Sequence, residues 1–416
     1  MMKNSKFSNG KILSCLLIIH ALFFSSYIFL IGENFSYMGF KLIPDEFKII
    51  LSSISILLIS IYVSFLRNDF LKITSILLFI FSTSPNLIIF SFMPSNWYIF
   101  TWSILCIPFT IFFMKILPIF KLPIINEKYK PPILLLLLIV LTLVVISSHG
   151  FSLNWHLFLL EDIYDVRLAS RESSTTASVY AYFILAKVLC PIAVIYAIEN
   201  KKYSFLFLSI IIITYLFMTT GHKSVYFTIF VLIGFSLGKN TYNAKIRILC
   251  IASIILFCLC RILTTLDFNT PESLFFRRLF FIPALLNIYY FEYFEDLKLL
   301  YSGSFMSWAL DYPLNRPPAN EIGAVYFGNE AMSANNGYLS DGFANLGSFG
   351  ILITIIITSW VYKFFWRYNV SPKYFGLVFV TFYAFQGSGL TTALFTHGSL
   401  LLCILIPIFL RTNNKK

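Results

Sequence analysis

The sequence predicts an all-α polytopic integral membrane protein of about twelve transmembrane helices. Both termini are expected to be cytoplasmic, and one large outer loop is expected to contain an interfacial helix. Three observations predict this. The 416 residues are 58% hydrophobic, 19% aromatic and only 12% charged, with a mean hydropathy of +0.81. Soluble domains carry about 25% charged residues, so this chain cannot cover a globule with solvated surface. Its apolar runs reach the roughly 20 residues that a bilayer crossing needs. Lys and Arg recur between alternate runs, as cytoplasmic loops require. A secreted disulfide scaffold, a disordered chain and a cytosolic enzyme are excluded.

Taken in order, the expected spans are 11–31, 47–66, 71–92, 98–117, 132–147, 177–198, 203–219, 223–238, 246–263, 343–362, 374–392 and 397–410. The first follows a basic start, as a signal peptide would. It is longer than the 7–15 residues of a signal core and no A-x-A site follows, so it reads as a span. Pro85 and Pro108 predict kinks in the third and fourth spans. Spans one to nine, with a smaller outer loop at 148–176, make a bundle over 1–263. The large loop occupies 264–342, and three spans with a cytoplasmic tail fill 343–416.

With the N-terminus inside, the cytoplasmic segments and their span ends hold most of the 31 basic residues, among them Lys3, Arg67, Lys72, Lys128, Lys201, Lys239, Lys363 and Arg411. Of the 19 acids, only Asp69, Glu127 and Glu199 share those segments. The net charge of +12 is therefore chiefly a topology signal, with some attraction to anionic membrane lipid. Nucleic acid is not an expected partner, because no basic segment is interleaved with exposed aromatics. All seven cysteines lie in expected spans, so no disulfide is expected outside. Cys258-x-Cys260 lacks a second ligand pair and reads as two packed thiols, with no metal expected.

Loops beyond 12–15 residues are usually functional or disordered. The stretch from Leu274 to Leu300 is too aromatic for disorder. Thr270 can cap a helix there, Pro271 suits its first turn, and Pro283 predicts a kink. Its Tyr and Phe content suits the membrane interface, so this helix is expected to lie along the outer surface.

There is no P-loop, no dinucleotide glycine motif after a strand, no H-E-x-x-H and no G-x-S-x-G elbow. Energy or an activated substrate must come from an ion gradient or a membrane-borne donor, or the chain does no chemistry. The outer loops carry paired arginines, Arg277/Arg278 and Arg167/Arg171, the second pair four residues apart. Each guanidinium fork matches phosphate oxygens. The same residues suit pairing with Glu161, Asp162, Asp165 and Glu172, or snorkelling to headgroups. Asp341, after Asn335-Asn336-Gly337, suits either a general base or a cap on the tenth helix. Glu321 and Glu330 are weaker candidates. His222-Lys223 forms a tight outer turn suited to phosphate or to headgroups. Lys187, inside span six, is functional by default unless a carboxylate in the bundle pairs with it. His397 and His20 read more simply as structural.

Three segments carry a resemblance: Thr219-Thr220-Gly221-His222-Lys223-Ser224, Arg277-Arg278-Leu279-Phe280-Phe281-Ile282-Pro283, and Asn335-Asn336-Gly337-Tyr338-Leu339-Ser340-Asp341-Gly342-Phe343-Ala344-Asn345-Leu346-Gly347. With the span count, the large late outer loop and the tail Leu394-Phe395-Thr396-His397-Gly398, they resemble the Wzy-type O-antigen (oligosaccharide repeat-unit) polymerases. The Arg-to-Gly spacing of eleven residues described for some members is not reproduced: Ser178, Tyr182, Ile288 and Tyr289 occupy those positions.

The resemblance implies a membrane glycosyltransferase-type enzyme of the bacterial cell inner membrane, with its active face periplasmic. Such an enzyme moves a growing glycan from undecaprenyl pyrophosphate onto a new lipid-linked repeat unit, without a cofactor. It implies undecaprenyl-pyrophosphate-linked oligosaccharides, a chain-length regulator and a flippase as partners. Arg277 and Arg278 would clamp pyrophosphate and stabilise its departing charge, and Asp341 would serve as base or acceptor-positioning group. Lys223, His222, Arg167, Arg171 and Asn336 complete the expected substrate-binding set. The alternatives are a lipid-linked oligosaccharide flippase, an O-antigen ligase and a non-catalytic export scaffold.

Overall fold

The computed structural model describes residues 7–120, 125–151, 153–159 and 163–411. Among them there is no strand, and a lone antiparallel bridge joins Val370 to Arg411. Ten helices among the described residues are long and apolar enough to cross a membrane, the make-up of a multi-pass membrane protein. They are α1 (Asn9–Asn34), α2 (Glu46–Phe65), α3 (Asp69–Phe92), α4 (Trp97–Ile116), α5 (Lys130–His149), α7 (Thr176–Asn200), α8 (Tyr203–Thr220), α10 (Tyr242–Thr265), α11 (Thr270–Tyr293) and α13 (Tyr338–Arg367). The other helices are α6 (Ile163–Ser173), α9 (Lys223–Ser236), α12 (Pro318–Phe327), α14 (Phe375–Gln386) and the shorter apolar α15 (Ser399–Leu410). The chain divides into two compact units. One comprises Met1–Leu117, Tyr242–Trp360 and Phe385–Leu390; the other comprises Pro118–Thr241, Val361–Ala384 and Thr391–Lys416.

Three differences from the sequence expectation matter. The aromatic helix α11 is of crossing length, and its run Ala284–Phe291 is buried throughout. That second half is packed inside its unit, while Leu274, Phe275 and Arg278 in the first half stay exposed. Phe276 and Phe280 meet Phe23 of α1 at ring-centroid distances of 5.4 and 4.7 Å, and Phe81 of α3 lies 5.0 Å from Phe280. Each such aromatic pair is worth roughly 0.5–1.5 kcal/mol beyond its buried area. The hairpin from α10 to α11 is closed by Arg261 Nη1 and Glu272 Oε1, 2.8 Å apart, with Glu272 fully buried.

The second difference is at α13, which starts before residue 343 and then breaks. Leu346 (φ −137°) and Gly347 (φ +63°) are non-helical. The short arm 338–345 folds back so that Gly342 touches Gly350: a Cβ on Gly342 would sit 2.7 Å from the Gly350 carbonyl oxygen. The arm's freed carbonyls, Ala344 and Asn345, accept from Leu299 N–H (3.0 Å) and Leu300 N–H (3.1 Å) of the large loop.

The third difference is at the end of the chain. The expected span 374–392 contains the twelve-residue α14, about 18 Å long. Gln386 is followed by non-helical residues 387–389 and a second helical stretch from Leu390. His397 and Gly398 then break the chain again before α15.

Wide π-helical turns precede three of the prolines. Phe79–Thr83 comes before Pro85, Leu185–Leu189 before Pro191, and Ser273–Phe281 before Pro283. A proline ring clashes with the carbonyl four residues back, and a widened turn relieves that clash. Pro108 sits inside α4 without such a turn.

Candidate functional site

In the first unit, the short arm of α13 is tied to α11 by a buried chain of amides. Asn336 Nδ2 donates to Ser340 Oγ (2.6 Å), to Asn287 Oδ1 (3.0 Å) and to the Pro283 carbonyl (3.3 Å). Ser340 Oγ donates to Asn287 Oδ1 at 2.6 Å, and Asn287 Nδ2 donates to Asn86 Oδ1 at 3.1 Å. Satisfied buried polar networks of this kind fix one geometry. Asn336, expected among the substrate-binding residues, is instead occupied in holding the arm in place. Pro283 lies five residues from Arg278, roughly 7 Å along the helix axis.

Asp341 is half-buried. Its Oδ2 accepts from the Leu390 N–H at 2.9 Å, and its Oδ1 lies 3.4 Å from Asn345 Nδ2. Asp341 therefore caps the helical stretch that starts at Leu390, and not its own helix. Gly389 is the residue that permits this approach, because a Cβ there would lie 2.8 Å from Asp341 Oδ1.

Asn345 also reaches the large loop, where its Oδ1 accepts from the Tyr301 N–H at 2.8 Å. Tyr301 is 8% exposed, and its hydroxyl has no hydrogen-bond partner among the described residues. Burial raises the pKa of this phenol, and the nearby Asp341 carboxylate raises it further. Leu300 (φ 49°) and Tyr301 (φ 57°) both occupy the left-handed region. Such strain costs about 1–3 kcal/mol per residue and clusters at functional sites. Sequence reasoning missed Tyr301, since one tyrosine among 24 carries no flag. Asn345 was findable, four residues after Asp341 on a helix.

The two arginines of α11 differ. Arg277 is half-buried. Its Nε donates to Ser273 Oγ (3.0 Å), its Nη1 contacts Met38 Sδ (2.9 Å), and its guanidinium lies 4.3 Å from the Phe35 ring centroid. Arg278 is exposed and makes no ion pair among the described residues. The loop acids are committed elsewhere. Glu321 Oε2 lies 3.3 Å from Arg316 Nε, and Glu330 Oε1 lies 3.1 Å from Arg316 Nη1. Tyr293 also donates to Glu321 Oε1, at 2.9 Å.

In the second unit, Arg167 Nη2 donates to the Gly221 carbonyl at 3.1 Å, at the C-terminal end of α8, where a cation is favoured. That places Arg167 beside the turn carrying His222, whose ring lies 5.9 Å from Tyr182. The Tyr182 hydroxyl is 2.9 Å from Thr220 Oγ1. Arg171 lies on α6 and Lys223 opens α9, but both side chains lie outside the described residues, as do Glu161 and Asp162. Lys187 Nζ lies 5.3 Å from the Phe183 ring centroid and makes no ion pair among the described residues. The His397 ring packs 4.9 Å from the same phenylalanine; its Nδ1 is buried and without a partner among the described residues. In the first unit, His20 Nδ1 is 2.8 Å from Ser84 Oγ.

The candidate set is thus split by unit. Arg277, Arg278, Asn336 and Asp341 belong to the first; Arg167, Arg171, His222 and Lys223 belong to the second. Chemically, the first unit offers a half-buried aspartate, a buried phenol without a hydrogen-bond partner among the described residues, and an exposed guanidinium. No family model matches the chain, and no curated protein or solved structure matches it.

Proposed function

We propose that this chain polymerises oligosaccharide repeat units carried on undecaprenyl pyrophosphate, at the periplasmic face of a bacterial inner membrane. The observation that carries the reading is the half-buried Asp341 beside the Tyr301 phenol, whose hydroxyl has no partner among the described residues, on an arm that Asn336 ties to the arginine helix. In the proposed reaction, Asp341 accepts the proton of the acceptor sugar hydroxyl. The freed oxygen bonds to the anomeric carbon of the growing chain. The bond from that carbon to the pyrophosphate oxygen breaks, and the electron pair leaves with pyrophosphate. Arg278 takes up the departing charge, the kind of electrostatic term that usually dominates. Arg277, already turned onto Met38 and Phe35, positions its neighbour, and Arg167 holds the turn at Gly221.

Deleting the gene and resolving surface glycan on a gel tests the reading. Collapse of the ladder to core plus one repeat unit supports a polymerase. Core without any repeat unit points to a flippase or ligase, and polymer accumulating on its carrier singles out the ligase. Arg278→Ala and Asp341→Asn are each expected to lower polymer by about a hundredfold or more while protein stays in the membrane. Wild-type chain lengths in either variant would remove that residue from the mechanism. The transporter reading has one observation in its favour, the helix broken after Gln386, since broken helices also build transport sites.

A further inference from the structure

We propose that Lys187 and His397 bind a small monovalent anion of the halide class inside the second unit, where the chain breaks before α15. Lys187 stands on the wide turn Leu185–Leu189 of α7. It lies roughly 16 Å along the axis from the Thr176 end of that membrane-length helix. An ammonium at such depth is expensive, and membrane proteins that keep one give it a partner or a function. Lys187 Nζ lies over the Phe183 ring, 5.3 Å from its centroid, and makes no hydrogen bond or ion pair among the described residues. The acids Glu127 and Glu199 of the same unit are engaged by Lys130 (2.6 Å) and by Ser371 (3.3 Å).

The break before α15 packs on this turn. Gly398 (φ +75°) takes the left-handed conformation there, and a Cβ on it would lie 2.9 Å from Val188 Cγ2 and 3.5 Å from Ile184 Cγ1 of α7. That approach brings His397 to the same ring as Lys187: the imidazole centroid is 4.9 Å from that of Phe183. The two side chains are close enough for their charges to interact. His397 is 8% exposed, and its Nδ1 is buried without a hydrogen-bond partner among the described residues. A buried polar atom left unpaired is costly, and here two unpaired nitrogens from distant segments converge. Both can donate, the ammonium through any of its N–H groups and Nδ1 in one tautomer. Two donors with one positive charge and no carboxylate between them are complementary to an anion. The single charge selects a monovalent ion, since phosphate or sulfate would bury excess negative charge. Breaks in membrane helices build ion sites in this way. The inference is independent of the polymerase reading.

The test uses the full-length protein in detergent, with radiolabelled chloride as the probe in equilibrium dialysis. Saturable binding is expected, displaced by bromide and not by acetate or sulfate. Lys187→Met is expected to weaken it about tenfold or more, the loss of a charged hydrogen bond. Lys187→Arg, which keeps the charge, should stay within a few-fold of wild type. The methionine replaces an unpaired ammonium, so its melting temperature in chloride-free buffer is expected to be no lower than that of wild type. His397→Phe keeps a ring against Phe183 and is expected to lower affinity several-fold, while the control Lys201→Gln leaves it unchanged. No saturable chloride binding, or equal affinity in wild type and Lys187→Met, would overturn the proposal. Displacement by acetate as readily as by bromide would assign the site to carboxylates and overturn the halide assignment.

Discussion

Asp341 commits one oxygen to the Leu390 N–H and lies within 3.4 Å of Asn345 Nδ2 with the other, so a single carboxylate secures a helix start and, in the proposed reaction, also meets the acceptor hydroxyl. Tyr301 is its natural test, because the phenol oxygen has no partner among the described residues to lose. Tyr301→Phe removes that oxygen alone. Stability is expected to stay within about 0.5 kcal/mol of wild type, read as the melting temperature of the purified protein. Polymer output is expected to fall about tenfold or more if the hydroxyl orients a sugar. Unchanged output would assign Tyr301 to packing against Phe305, where the rings stack at 4.9 Å. Asn336 teaches a different lesson. It stood beside Asp341 in the sequence as a substrate-binding candidate, but three hydrogen bonds inside the protein occupy its amide.

At the scale of elements, the backbone breaks fall beside the candidate site. The turn at Leu346-Gly347, the left-handed pair Leu300-Tyr301 and the gap at 387–389 converge on Asp341 and Asn345. The fold-back of α13 depends on Gly342 and Gly350 in direct contact. Gly350→Ala places a methyl group against the Gly342 backbone, and a helix arm cannot yield as a flexible side chain can. A loss of about 3 kcal/mol or more is expected, at or above the usual range for overpacking. Gly234→Ala in α9 is the control, since a Cβ there meets nothing within 4 Å. It should leave stability unchanged or raise it by up to about 1 kcal/mol. Thermal unfolding of both variants in one detergent decides, and equal midpoints would refute the contact.

At the scale of the whole molecule, the alternation of basic segments makes a prediction that local geometry does not. Lys201 and its neighbour Lys202 are expected to face the cytoplasm, while Tyr37, 78% exposed in the loop after α1, is expected to face outward. Single cysteines at 37 and 201, in a background without the seven native ones, should label from opposite sides with a membrane-impermeant maleimide. Labelling of both in intact cells would overturn the orientation and with it the proposed periplasmic placement of the site.

By itself the sequence determined what composition and period encode. It specified a multi-pass helical protein and the positions of most helices to within a few residues. Bilayer length and positive-charge bias act locally along the chain, so they are readable there. The tertiary structure decided what depends on contact between distant segments. Ring packing of Phe280 against Phe23 and Phe81 holds α11 to its unit, although its aromatic composition also suits an interface. Hydrogen-bond satisfaction occupies Asn336 and Arg277 and leaves Arg278 exposed. Asn345 sits one helical turn from Asp341 by sequence, but only the tertiary structure brings it to the Tyr301 N–H, because pairing across 44 residues of loop has no signature in local sequence.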